Sequence, residues 1–330
     1  MMGNFVKKFL VFIFFGFIIS THLSAIELEN KIPPSIWEFE MNFYFTPTYS
    51  TAYNGYGEKV PLHEFILWDR EWRESVKGGL KREEQKIEIR MTYAFIENWL
   101  IKANIPLLQK KQTSTLNFES GTSTQKEVVR NLDSESLNGL GDISLQIAND
   151  LSYGTTWHNR GGLSVRIPTG NTGIPRGTVS NAIGERHGSL GAFLHLTWFP
   201  LVHGLRNSFR IHATNELLGN ERETLDGVRS YYSAGNRVDI HYNWSVERQN
   251  IFAGTELHYF QQEESSLPSG KSNNAYLKEI SFEFGYGNLS DLEQKPLPLP
   301  WQIRLSYTHS IAGQNIPFAN HWQLTSASFF

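Results

Sequence analysis

Two residues that could form a catalytic pair lie in the sequence RHGS, at residues 186–189. His187 and Ser189 are separated by a single residue, and a histidine base beside a serine hydroxyl is the arrangement that activates an oxygen nucleophile. A third, acidic group usually orients the base, and no acidic residue has an obvious position to do so here. We therefore predict no catalytic residues and no enzyme activity.

Four histidines could suggest a metal centre, namely His195, His212, His241 and His258. None of them has the close spacing to another ligand that is typical of zinc motifs, and cysteine is absent from the chain. Thiolate metal sites, disulfides and a thiol nucleophile are therefore excluded. The glycine-rich pieces GLGD and PTGNTG precede no helix, so they are not phosphate loops. The sequence predicts no metal and no cofactor.

The elements that carry these residues have the alternation of β-strands. In KIEIRMTYAF (86–95) the charged side chains and the apolar side chains occupy alternate positions, which places them on opposite faces of a strand. About twelve segments follow this pattern, each close to the roughly nine to eleven residues that a tilted strand needs to cross a bilayer. They are 35–46, 83–95, 99–107, 141–151, 157–168, 188–199, 207–218, 236–245, 249–260, 276–286, 300–310 and 320–330.

The connections between these segments alternate in length. Long polar ones at 47–82, 108–140, 169–187, 219–235 and 261–275 are separated by short ones near 96–98, 152–156, 200–206 and 246–248. Long external loops that alternate with short periplasmic turns are typical of bacterial, Gram-negative outer-membrane barrels. We predict an all-β fold, a transmembrane antiparallel up-and-down β-barrel of about 12 strands, with both termini in the periplasm.

The N-terminal region has the layout of a secretory signal peptide. Lys7 and Lys8 precede an apolar run at 9–19, and the small residues Ser24 and Ala25 end the segment; the run of about eleven residues is shorter than the roughly twenty needed for a spanning helix. We predict cleavage after Ala25, with a signal peptide at 1–25 and one barrel domain at 26–330. A net charge of -3 gives no indication of a nucleic-acid partner.

Tryptophan distinguishes a membrane barrel from a soluble all-β protein. Six tryptophans share the apolar parity of their strands and fall at the predicted periplasmic ends, where an amphipathic indole favours the lipid boundary; they are Trp37, Trp99, Trp157, Trp198, Trp244 and Trp301. The terminal Phe330 resembles the signal by which barrel-assembly machinery recognises its clients. The predicted location is the cell outer membrane, with its lipid as a partner.

If the apolar faces contact lipid, the charged faces line a lumen. Residues of both signs are expected near mid-height, and we predict that they form a mutually compensated constriction with little net ion selectivity; they are Arg90, Arg166, Arg210, His212, Asp239, His241, Glu256, Glu283 and Arg304. We expect Arg210 or His212 to lie within reach of Asp239 on the next strand, and Arg304 beside Glu283. These groups either brace the wall against each other or line a path for a small solute. The same parity points His187 and Ser189 inward, away from lipid.

The first long loop is rich in aromatic residues, which are Tyr49, Tyr53, Tyr56, Phe65, Trp68 and Trp72. They could anchor at the outer headgroup boundary, pack on the rim, or belong to a lid that folds inward. A structural or adhesive barrel that uses its long loops, or a lipid-modifying enzyme, is the alternative to a channel.

Three stretches resemble known barrels. The pair LNGLGDISLQIANDL (137–151) and RGGLSVRIPTGN (160–171), and the hairpin KIEIRMTYAFIENWLIKANIPLL (86–108), are similar to uncharacterised outer-membrane β-barrel families assigned to transport, which include the proposed phenol-degradation meta-pathway family. The resemblance implies a porin-like passive channel or transporter for a small polar or amphipathic, and conceivably aromatic, solute.

Overall fold

The computed structural model describes residues 34–67, 70–153, 156–170, 188–200, 204–216, 221–223, 229–231, 235–248, 250–263, 266–267, 270–271, 274–288 and 301–330. Among these residues, no helix has the length and apolar character needed to cross a membrane.

Twelve antiparallel strands form a closed barrel, as the sequence predicts. The strands are β1 (Trp37–Tyr49), β2 (Leu80–Ile96), β3 (Trp99–Ser114), β4 (Ile143–Tyr153), β5 (Trp157–Ile167), β6 (Ser189–Trp198), β7 (Leu205–Glu216), β8 (Arg237–Arg248), β9 (Ile251–Gln262), β10 (Ala275–Asn288), β11 (Trp301–Gln314) and β12 (His321–Phe329). A further segment, Glu135–Leu140, extends the line of β4 and pairs with the outer part of β3.

Each strand pairs with its neighbours in sequence, and the first strand pairs with the last. Phe39 lies opposite Ser328, and the backbone N–H of Trp37 donates to the carbonyl of Phe330 at 2.8 Å. Closure leaves no free sheet edge, which is the condition for β-structure in a bilayer. The start of β1 and the end of β12 lie at the same rim as the turns between β2 and β3 and between β8 and β9, which we call the periplasmic rim; the connections between β1 and β2 and between β3 and β4 lie at the opposite, extracellular rim.

The outer surface of the barrel is apolar along alternate positions of every strand. Phe43, Ile87, Leu163, Leu257 and Leu305 are among many large hydrophobic side chains that remain exposed there. A continuous apolar exterior with polar side chains inside is the inverse of a soluble protein and suits a lipid environment. The chain is a barrel of the outer membrane.

The first two extracellular loops and the last one build a small folded region, which we call the cap. A three-stranded sheet joins Thr51–Tyr53 to Lys59–Pro61 and to Ile316–Phe318. The cap also holds helix α1 (Leu62–Ile66), a 3-10 helix (Arg73–Ser75) and helix α2 (Ser123–Arg130). Two shorter hairpins lie in other loops, Glu221–Glu223 with Arg229–Tyr231, and Ser266–Leu267 with Gly270–Lys271.

Apolar side chains from both loops hold the cap together. One buried cluster comprises Leu67, Val76, Phe118, Val128, Val129 and Leu132, and a second comprises Ala52, Leu62 and Leu80. Helix α2 begins with a capping box, in which Thr122 accepts from the N–H of Gln125 and the Gln125 side chain accepts from the N–H of Thr122. Burial lowers the pKa of His63 in α1.

The first three strands, β1 to β3, extend further at the extracellular side than predicted. β3 continues to Ser114 rather than ending near 107, and the predicted loop at 108–140 contains both α2 and the segment Glu135–Leu140. In this region the side chains on both faces of the hairpin are polar, so the alternation of apolar and polar residues that indicates a membrane strand is absent. The two helices are short and were not predicted.

Candidate functional site

The lumen is lined by the side chains on the inward face of each strand, and ion pairs connect many of them across neighbouring strands. On β1 and β2, Arg90 donates to Glu40 at 2.7 Å and to the Tyr44 hydroxyl at 3.2 Å, and it also pairs with Glu88. Lys86 lies 3.0 Å from Glu88. This network fixes the spacing of β1 and β2 from the inside.

One row of inward residues crosses the wall diagonally from rim to rim. On β4 to β11 in turn, each member lies directly opposite the next, and the row consists of Asp150, Arg160, His195, Arg210, His241, His258, Glu279 and Ser310. We call it the diagonal row. It begins near the periplasmic end of β4 and ends near the extracellular end of β11, because strands tilt in a barrel and directly opposed residues therefore climb along the axis.

The lower end of the diagonal row is a buried ion pair. Arg160 Nε donates to Asp150 Oδ1 at 2.6 Å, and His158 Nε2 lies 3.0 Å from the same oxygen. The backbone N–H of Asp150 donates to the carbonyl of Asn98 in the turn between β2 and β3. These contacts anchor the row to the periplasmic rim.

The upper part of the diagonal row is a histidine and carboxylate cluster. The rings of His241 and His258 stack at 4.2 Å between centroids. His241 Nδ1 lies 2.9 Å from Glu256 Oε1, and His258 Nδ1 lies 2.9 Å from Glu279 Oε2. Asp239 lies 3.3 Å from His258 Nε2 and accepts two hydrogen bonds from Arg237.

Arg210 differs from the other arginines named above. Its side chain is exposed within the lumen, and it makes no hydrogen bond or ion pair with any residue that the structure describes. Its neighbours in the row are His195 and His241. The middle of the diagonal row therefore presents a cation to the space inside the barrel.

Two large aromatic side chains of the lumen are folded against the wall over glycines. Phe193 lies opposite Gly162, where an added Cβ would be 2.6 Å from the ring. Phe252 lies opposite Gly285, where an added Cβ would be 2.1 Å from the ring. An aromatic ring that covers a glycine on the next strand follows the wall instead of filling the interior.

The residues predicted for the constriction all lie on inward faces, but they do not share one height. Arg166 immediately precedes the extracellular end of β5, and Asp239 lies near the extracellular end of β8, whereas Arg304 lies near the periplasmic start of β11. The prediction placed all of them at mid-height. Arg90, Arg210, His212, His241, Glu256 and Glu283 lie further from the strand ends.

Their pairing also differs in part from the prediction. Arg304 does pair with Glu283, at 3.4 Å, and its guanidinium lies over the Phe252 ring. Asp239 pairs with Arg237 and His258 rather than with Arg210, and His212 bonds to Ser164 at 2.9 Å. Arg237 and Asp239 share one face of β8, whereas the partners on neighbouring strands depend on the cross-strand register, which the sequence does not contain.

Five of the six tryptophans of the predicted girdle lie at strand ends and one does not, and their place at the lipid boundary stays a prediction. Trp37, Trp99, Trp157, Trp198 and Trp301 each begin or end a strand at the periplasmic rim, and Trp157 stacks on Trp198. Trp244 lies inside β8, because this strand continues to Arg248 instead of ending near 245. Phe330 is exposed at the strand closure, and its role as an assembly signal stays a prediction.

The aromatic residues of the first loop pack within the cap. Tyr53 is buried, Tyr49 and Phe65 pack against the cluster of Ala52 and Leu80, and Trp72 stacks on Phe118 at 5.1 Å. Tyr56 is exposed. Trp68 lies outside the described residues, as does His187, so the proposed pairing of His187 with Ser189 is untested; Ser189 itself is buried.

No protein-family model matches the chain, and no curated protein matches its sequence. Among solved structures, the COG4313 outer membrane channel from Pseudomonas putida F1 is similar at 11% identity and a TM-score of 0.66, over 93% of this chain and 100% of that chain. The Pseudomonas putida toluene transporter TodX is similar at 10% identity and a TM-score of 0.41, over 90% and 89%.

A Pseudomonas aeruginosa FadL homologue is similar at 8% identity and a TM-score of 0.39, over 91% of this chain and 90% of that chain. The predicted likeness to the phenol-degradation meta-pathway family stays a prediction. The closed twelve-stranded wall and the likeness to the first of these structures together show that this chain has the fold of an outer-membrane channel barrel.

Proposed function

We propose that this chain is a passive channel for a small polar or amphipathic solute across the outer membrane. The observation that carries the proposal is the diagonal row, whose members from Arg160 to His258 present hydrogen-bonding groups that are not buried on five neighbouring strands, β5 to β9. A solute that loses part of its hydration in a narrow lumen needs such groups along its whole path.

Two further features support an aqueous path. Arg210 is exposed inside the barrel and makes no direct hydrogen bond or ion pair with a described residue, and an exposed guanidinium is favourable where water or a solute reaches it. Phe193 and Phe252 cover glycines on the wall, so their rings occupy less of the interior. A barrel braced by charges alone would need neither feature.

The test is the conductance of the purified full-length chain in planar bilayers. We expect a stable open current with a balanced ion preference, because residues of both signs line the interior. Arg210→Ala should shift the reversal potential toward cation preference without lowering barrel stability, since it breaks no ion pair. Arg304→Ala should lower stability as well, because it leaves Glu283 with one fewer charged partner.

Arg248→Ala is the matched control for charge. Arg248 ends β8 opposite Ile251 and belongs to the outward register, so its removal should change neither conductance nor selectivity. The absence of current from a correctly folded barrel would favour a structural, adhesive or enzymatic barrel, and an unchanged reversal potential in a conducting Arg210→Ala variant would mean that Arg210 does not lie on the ion path. If the barrel does conduct, liposome swelling with neutral sugars and aromatic acids would identify the class of solute that passes.

A further inference from the structure

The histidine and carboxylate cluster of β8 to β10 has the composition of a metal site. The ligand atoms of Asp239, His241 and His258 lie within 4.8 Å of one another. Asp239 Oδ1 and His258 Nε2 are 3.3 Å apart, which is close to the separation of two ligands held about 2.0–2.1 Å from one zinc ion in tetrahedral geometry. We propose that this cluster binds a divalent transition-metal ion of the zinc class.

The contacts of the two imidazole rings carry the proposal further than the ligand distances. Glu256 contacts His241 at Nδ1, and Glu279 contacts His258 at Nδ1. Metal-binding histidines commonly donate the N–H of one ring nitrogen to a carboxylate and bind the ion through the other. Both histidines here have that arrangement, so each presents Nε2 as a ligand, and Glu256 and Glu279 are positioning residues.

Asp239 supplies the third ligand and is itself held in place. Arg237 donates to both of its oxygens, at 2.7 and 2.8 Å, as expected for the hydrogen-bonded carboxylate of a metal site. The bound ion would replace the contact between Asp239 and His258. A fourth position would face the lumen, where water or a passing solute could occupy it.

The charges around the cluster also favour a cation. Three carboxylates, those of Asp239, Glu256 and Glu279, face two guanidinium groups, which are Arg237 on the same strand and Arg210 on β7 opposite His241. Asp239 and Glu279 are buried, and buried charge requires compensation. The site lies near the extracellular ends of β8 and β9, so an ion could enter from the loop side.

Spacing along the sequence did not reveal this site, because its members come from three strands. Asp239 and His241 alternate on β8, His258 lies on β9, and Glu279 lies on β10. Two ligands separated by one residue on a strand share a face, which is a weak signal by itself. Only the register of His241 opposite His258 completes the set.

Zinc binding by the full-length chain, purified in detergent without a polyhistidine tag, tests the proposal by isothermal titration calorimetry. We expect one saturable Zn²⁺ per chain, and its loss in the double variant His241→Ala with His258→Ala. His195→Ala is the matched control, since this lumen histidine lies on β6, two strands from β8, opposite Arg160 and Arg210, and it should retain binding. No saturable binding, or binding that survives the double variant, would overturn the proposal.

A pair of carboxylate variants tests the arrangement without removing a ligand. Glu279→Gln should weaken zinc binding by roughly 10- to 100-fold, the range for partners of metal-bound histidines. Glu283→Gln lies on the same strand and the same face but contacts Asn243 and Arg304, so it should bind as the natural chain does. Equal affinity in the two variants would contradict the assigned role of Glu279.

X-ray absorption spectroscopy of the zinc-loaded natural chain measures the ligands of the bound ion directly. Because it uses no variant, its result does not depend on whether a variant folds. Two imidazole nitrogens in the coordination shell are expected, and a shell of oxygen alone would overturn the assignment. The test is also independent of transport, because it measures binding in solution. A barrel that binds zinc and carries no current would contradict the proposed channel and leave the metal site intact.

Discussion

The Arg90 guanidinium connects β1 to β2 through Glu40, Glu88 and the Tyr44 hydroxyl. Glu88 is buried, and among the described residues Lys86 is the ion-pair partner that would remain if Arg90 were removed. A carboxylate that keeps its charge in the wall of a lumen and loses its main partner is costly. Arg90 is therefore expected to contribute to stability rather than to selectivity.

The variant Arg90→Leu should lower the free energy of unfolding by about 3 kcal/mol, the lower end of the range for breaking a buried pair. Urea titration of the barrel refolded in lipid vesicles would measure it. Arg248→Leu, at an exposed turn, should change the same quantity by less than about 0.5 kcal/mol. If Arg90→Leu changed the free energy of unfolding as little as Arg248→Leu does, water would be solvating the Glu88 carboxylate.

At this scale the sequence predicts the direction of side chains but not their partners. Arg304 with Glu283 was within reach of prediction, because the two lie at similar distances from one hairpin. Asp239 was expected near Arg210, yet it pairs with Arg237 on its own strand and with His258. Alternation places Arg237 and Asp239 on one face of β8, but the choice of His258 as a partner depends on the stagger between strands, which alternation does not encode.

Helix α1 of the cap contains a histidine, His63, that is surrounded by apolar side chains. His63 is only 6% exposed, beside the cluster that contains Leu62, and burial lowers its pKa below the ordinary value. The protonated form is thus favoured when the cap opens. The contribution of neutral His63 to the stability of the folded cap is fully present above the ordinary histidine pKa of about 6.5. This contribution is lost as the pH falls below that value.

We expect the cap to exchange amide hydrogen faster at acidic pH than its neutral variant His63→Gln at the same pH. Exchange of the amides in residues 51–67, compared between the two chains at each pH, separates this effect from the intrinsic pH dependence of exchange. Strands β7 to β9 should show no difference between the chains. Equal rates in the cap at every pH would mean that His63 is solvated when charged.

The strands were predictable and the helices were not, for a common reason. A barrel strand leaves an apolar and polar alternation wherever one face meets lipid, as in 86–95. The cap lies above the membrane, where α1, α2 and the outer part of β3 carry no such pattern. Their structure depends on contacts between distant loops, such as Trp72 with Phe118.

For the whole molecule, the sidedness of the wall is open to a direct test. The chain contains no cysteine, so single cysteines report their own surroundings. Cysteine at Leu305, which is exposed on the outer face, should react with a lipid-phase probe. Cysteine at Ser306, its inward neighbour, should react instead with a small water-soluble reagent if the lumen is hydrated.

The comparison of Leu305 with Ser306 is matched in depth, because the two residues are adjacent in β11. The same contrast is expected between Ile89 and Arg90 and between Ile240 and His241, which lie on other sides of the barrel. Mass spectrometry of the labelled chains measures the outcome. Reaction of both neighbours with the lipid-phase probe would be incompatible with the register described here.

The part of the diagonal row that is not buried bears on the shape of a solute that the proposed channel would carry. From Arg160 on β5 to His258 on β9 the row takes four steps between neighbouring strands, and at about 4.8 Å a step this part is roughly 19 Å long. In the proposed channel, a molecule that exchanges one hydrogen-bonding group for the next along these residues would turn about the barrel axis as it descends. A long rigid molecule, unable to turn with the wall, would lose contact with the row and be selected against by its shape.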